Sequence, residues 1–198
     1  MFFKSYSKYA LSFGIIVTAF FGAYWVTAMV VTPLQSALFG NTEVWRSIVY
    51  LPHGVCVLAT MLIGWRAILP LTLSSGGGLY LFSADHLAAS GPLFGVLVAF
   101  MTAACAFIAF EVFRYFGRNY YANPSFDVHW RSVFAVGILA AMIGAVGKSI
   151  LYGATQSWSG SFHHYLGAVS GSICGLFALM FVVMLLFRWM RINSENSA

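Results

Sequence analysis

Hydrophobic and polar positions along this chain fall into blocks rather than into a short amphipathic repeat. Apolar stretches of about 18 to 25 residues recur from end to end, separated by short segments that hold nearly all the charges. Each block is long enough, as a helix, to cross roughly 30 Å of hydrocarbon. The pattern predicts six spans, at about 10–31, 48–65, 67–83, 92–113, 131–154 and 164–187. Connections are short except for 32–47 and 115–130. The third span is the least regular, because Pro70 lies near its start and the run Ser74 to Gly78 (SSGGG) falls in its middle, both unfavourable inside a helix. The expected fold is therefore all-α, one polytopic bundle of six transmembrane helices that occupies residues 1–198.

Composition agrees with that expectation and excludes several function classes. The chain has 198 residues, 61% hydrophobic and only 8% charged, against about a quarter charged in soluble domains. That leaves too little polar surface for a water-soluble globule and no room for a soluble catalytic domain. The first block follows Lys4 and Lys8, but it is too long for a secretory leader and no small-residue cleavage site precedes a soluble chain, so it reads as a retained anchor. Cys56, Cys105 and Cys174 each lie inside an apolar block without a CxxC or metal-ligand spacing, and read as small packing residues.

The net charge of +5 carries orientation rather than nucleic-acid binding, since the basic residues sit at block ends and form no patch. With a cytoplasmic N-terminus, Lys4, Lys8, Arg66, Arg114, Arg118, Arg131, Arg188 and Arg191 fall inside, and Arg46 and Lys148 outside. Both termini are then expected on the cytoplasmic side, in a bacterial inner membrane. If 67–83 were not a crossing, the downstream arginines would move to the wrong side, so the charges also support that span.

This orientation gathers His53, His86, His163 and His164 toward the outer face, together with Arg46, Asp85 and Lys148. They form a candidate ligand-binding vestibule, because ionisable groups within a membrane face a bundle interior or a wet cavity. Each also has a plainer reading: His53 bonds a neighbouring carbonyl, His163 and His164 sit at the interface, and Asp85 caps the next helix. Lys148, a few residues inside the fifth span, either snorkels outward or pairs within the bundle. Haem ligation by His53 with His163 or His164, or a metal at His86, His163 and Asp85, has no supporting spacing, so no cofactor or metal is assigned. Glu111 has Arg114 one turn on, which explains it as a surface pair. No catalytic motif occurs, and no enzyme activity is expected.

Gly167, Gly171 and Gly175 recur at four-residue spacing in the sixth span. Such a stripe admits a neighbouring helix closely. Its expected partner is the fifth span, where Gly137, Ala141 and Ala145 repeat the pattern.

The stretch from Tyr50 to Pro70, with Tyr50, Pro52, Gly54, Ala59, Gly64 and Arg66, resembles the first type of membrane-associated sensor domain, the MASE family. The glycine-rich third span and the small-residue start of the sixth extend the resemblance loosely over most of the chain. Ala168 stands where family members tend to carry an acidic residue, and the output domain usual in that family is missing. The resemblance implies a stand-alone sensor-like module that binds a small ligand and acts through a partner, another membrane protein or a second copy. Two other readings are a substrate-binding subunit of a small-molecule importer and an accessory subunit of a respiratory or photosynthetic membrane complex. For the importer, "FGAYWVTA" offers Gly22 and Ala23 but no full AxxxA docking stripe.

Overall fold

Block by block, the apolar runs become helices. The computed structural model describes residues 2–39, 48–82, 91–122, 130–153 and 161–195, with side chains at 9–38, 48–82, 91–122, 130–151 and 165–193. Every regular element among them is helical. Five stretches are long and apolar enough to cross a membrane: Tyr9–Leu38, Leu51–Phe82, Pro92–Tyr115, Trp130–Leu151 and Tyr165–Asn193.

The first stretch combines α1 (Phe2–Val26), a π-helical turn (Thr27–Val31) and α2 (Thr32–Phe39). Residues 32–39, expected in a connection, are thus helical. Pro33 lacks an N–H and its ring crowds the carbonyl four residues back, at Met29, inside the widened turn. Threonine hydroxyls bond carbonyls around it, from Thr32 to Thr27 and from Thr27 to Ala23, each at 2.9 Å.

The second stretch is not one straight rod. α3 (Leu51–Ile63) and α4 (Ile68–Phe82) are separated by a 3-10 turn at Gly64–Ala67, where Gly64 adopts φ 62°, a conformation that favours glycine. The Tyr24 ring lies 6.4 Å from the Tyr50 ring, just before α3, and stacks 5.3 Å from the Phe82 ring at the end of α4. Fifteen residues earlier on α1, about 22 Å of helix rise, the Tyr9 hydroxyl bonds the Arg66 carbonyl in the turn at 3.4 Å. Both arms therefore lie along α1, with the turn at one end and their free ends together at the other. Helix α4 is continuous through Ser74–Gly78, the least regular part of the expected third span. Ser74 bonds the Pro70 carbonyl at 2.6 Å, and the Phe21 and Tyr24 rings cover Gly77 and Gly78, so close helix contact compensates for poor helix formers.

The remaining helices are α5 (Pro92–Tyr115), α6 (Trp130–Gly153) and α7 (Ser161–Glu195). Helix α5 packs on α4 at Gly76 and Ala99, and on α6 where Gly144 meets Cys105. Helix α3 is the centre of the bundle: it touches α1, α5, α6 and α7, and Pro52 to Val57 are all buried. Helix α7 runs past residues 164–187, and its second half presents Phe177, Phe181, Leu185 and Trp189 outward at four-residue intervals. That apolar stripe suits a lipid or protein neighbour rather than water.

Candidate functional site

The start of α3 is the most constrained place in the bundle. Pro52 occupies its first turn, where a missing N–H costs nothing. The Tyr50 N–H, outside the helix ladder, donates instead to the Gly171 carbonyl of α7 at 2.9 Å. Gly175, one turn further along α7, faces the Tyr50 peptide so closely that a Cβ there would collide with its carbonyl and amide. Gly54 lies against Leu176 and Leu179 in the same way. The glycine stripe therefore serves α3 at Gly171 and Gly175, whereas the expected partner α6 meets α7 through Gly137 and Leu176. Gly167 is half-buried and Ala141 buried.

His53 is only 5% exposed and its Nε2 lies 3.1 Å from the Gly137 carbonyl of α6. A carbonyl can only accept, so Nε2 carries the proton and donates. Two hydrogen bonds and two close glycine contacts thus tie the start of α3 to α6 and α7. Lys148, eleven residues further along α6 and about 16 Å away in helix rise, reaches the same turn from another side, its Nζ 5.5 Å from the centre of the Tyr50 ring. Tyr50 in turn meets Tyr24 edge-on at 80°. An ammonium over an aromatic face is attracted by the ring quadrupole by about 0.5–2 kcal/mol, more as water is excluded. Among the described residues no carboxylate forms an ion pair with Lys148.

Of the other sequence candidates, Arg46, Asp85 and His86 lie outside the described residues, as do the side chains of His163 and His164. No group of His, Cys, Asp or Glu suited to a metal occurs among the described residues.

At the opposite end, sequence reasoning found Glu111 and Arg114 but missed Tyr121. Gly117, at φ 79°, ends α5 and turns the chain back, with the Arg118 N–H bonded to the Phe113 carbonyl at 2.9 Å. Tyr121 then stacks on Phe110 at 4.9 Å and donates its hydroxyl to Glu111 Oε1 at 2.9 Å. Burial and the carboxylate beside it hold the Tyr121 phenol above its usual range. The Ala122 N–H donates to the Met61 carbonyl at 2.9 Å, which joins this segment to the end of α3. The signal available beforehand was Gly117 shortly after α5 with aromatics following; only the fold aims one of them at Glu111. Against known protein families, curated proteins and solved structures, the chain matches none.

Proposed function

We propose that this chain is a six-span membrane module, with both termini on the cytoplasmic side of a bacterial inner membrane. It takes a small ligand bearing an anionic group at Lys148 from the outer side and acts through a partner protein. The observation that carries this reading is Lys148 itself, an ammonium on an apolar helix held over the Tyr50 ring. Ionisable groups at such positions are costly and serve pathways or ligands.

The six-span topology draws support from the folded second stretch and from the location of charge. Arg66 lies in the turn between α3 and α4, and a cleft at that turn is also lined by Arg114, whereas Lys148 contacts the far end of α3. A sensor-like role rests on the MASE resemblance and on α3, which runs from the Lys148 contact to the Met61–Ala122 link at the opposite end. A second reading, a subunit of a larger membrane assembly, has one observation in its favour: the outward Phe177, Phe181, Leu185 and Trp189 stripe of α7.

Mass spectrometry of the gently solubilised parent and of Lys148→Met tests the ligand reading. A co-purified small anion retained by the parent and lost from the variant is expected; equal retention by both refutes it. For topology, single cysteines at Trp65 and at Pro92 are introduced after the native cysteines have been replaced by alanine. A membrane-impermeant maleimide added to spheroplasts is expected to label only Pro92→Cys. Labelling of both positions would refute the crossing by α3.

A further inference from the structure

A second site lies at the opposite end from Lys148. The turn between α3 and α4, the end of α5 and the returning segment enclose an open cleft of about 250 Å³. Met61, Trp65 and Phe107 supply apolar wall; Glu111, Arg114 and Tyr121 supply the polar part. Its mouth carries exposed Leu62 and Trp65, the composition of a surface between hydrocarbon and water.

The charges in the cleft are only loosely satisfied by each other. Arg114 Nη1 stands 3.4 Å and 3.5 Å from the two Glu111 oxygens, longer than a good charge-assisted bond. The Arg114 side chain is 62% exposed, so most of the guanidinium fork is open. Glu111 Oε1 is fixed by the Tyr121 hydroxyl at 2.9 Å, while among the described residues Oε2 has the weak arginine contact alone. The carboxylate is therefore held in place by a neutral donor.

We propose that this cleft holds the headgroup of a phospholipid carrying both a phosphate and a primary ammonium, the phosphatidylethanolamine class. Arg114 takes the phosphate through its planar fork, Glu111 takes the ammonium, and the apolar wall of Met61, Trp65 and Phe107 adjoins the glycerol and first methylenes. Charge complementarity selects this occupant. A headgroup with a phosphate but no ammonium would satisfy Arg114 equally and leave Glu111 without a counter-charge. The proposal rests on the membrane reading but is independent of the ligand at Lys148.

The test is native mass spectrometry of the full chain, purified in detergent and titrated with an equimolar mixture of phosphatidylethanolamine and phosphatidylglycerol. The parent is expected to retain the ethanolamine lipid over the glycerol lipid by about two- to fivefold, the range of an exposed ion pair. Glu111→Gln keeps a hydrogen-bond acceptor for Tyr121 but loses the charge, and is expected to invert or abolish that preference. Arg114→Gln is expected to weaken retention of both lipids. A thermal unfolding curve for each variant within a few degrees of the parent confirms that the fold is intact. An unchanged lipid ratio in Glu111→Gln, or no preference in the parent, overturns the proposal. Recovery of the parent in the soluble fraction rather than in membranes would instead overturn the membrane reading beneath it.

Discussion

A single methyl group added at Gly175 is expected to cost this protein more stability than the same methyl at any glycine of α1. In Gly175→Ala the new Cβ meets the carbonyl and amide of Tyr50, backbone atoms that no rotamer change can move aside. The start of α3 must back away from α7, and the bond from the Tyr50 N–H to the Gly171 carbonyl, now 2.9 Å, stretches with it. Overpacking of this kind costs about 1–3 kcal/mol, and a lost hydrogen bond in a membrane protein adds about 0.6 kcal/mol. The total is about 2–4 kcal/mol. The same exchange at Gly22 meets no atom within 4 Å. There the gain in helix propensity, up to about 1 kcal/mol in water, shrinks to a few tenths, because helices persist when a membrane protein comes apart in lipid. At roughly 2–4 °C per kcal/mol for a chain of this size, thermal unfolding in detergent should place Gly175→Ala about 5–15 °C below the parent. Gly22→Ala should lie level with it or slightly above. Equal melting temperatures for the two variants would refute the contact between Tyr50 and Gly175, and with it the seating of α3 on α7.

Two further substitutions compare the hydrogen-bonded His53 with Lys148, the proposed ligand contact. His53→Ala removes a buried ring and its bond to Gly137, so it should lower stability by about 2–3 kcal/mol, while Lys148, only half-buried, falls in the lower part of the cation–aromatic range and Lys148→Ala costs about 0.5–1 kcal/mol; the reverse order in the same melting assay would contradict these contacts. Tyr121→Phe should destabilise by about 1 kcal/mol near neutral pH. The neutral phenol is the bonded form and its pKa is raised in the fold, so its contribution is complete below the ordinary phenol value of about 10 and declines as pH rises beyond it. The gap between parent and Tyr121→Phe should therefore be constant from pH 7 to about 10 and narrow above; a gap that stays flat or widens above about pH 10 would show that the phenol is not raised in the fold and that Glu111 is not the partner.

Much of the architecture was legible because block length is a one-dimensional property. Helices α5 and α6 begin and end within a few residues of the runs that predict them, as apolar length and flanking charge require. Helix α4 was harder. Ser74 to Gly78 signals a break when local propensity is read alone, yet Phe21 and Tyr24 fill the space those small residues leave and the helix continues. The turn at Gly64–Ala67 falls where the second and third runs were expected to meet; only the structure shows that Gly64 makes it with a positive φ.

The candidate site divides along the same line. The sequence by itself determined that this chain is apolar enough for a membrane, where its charges lie along it, and which small residues could admit a close neighbour. It also marked His53 and Lys148 as exceptional, since an ionisable group in an apolar run stands out without any structure. What such a group touches depends on residues far away in the chain. Only the tertiary structure gave His53 a carbonyl 84 positions on and turned the Gly171 and Gly175 stripe toward Tyr50 rather than toward α6. The same is true of Tyr121, an ordinary aromatic in a loop until the turn at Gly117 brings its hydroxyl to Glu111. Hydrophobic length is a sum over neighbours and survives reading in one dimension. The partner of a polar group is a coincidence of distant segments in space, and packing alone decides it.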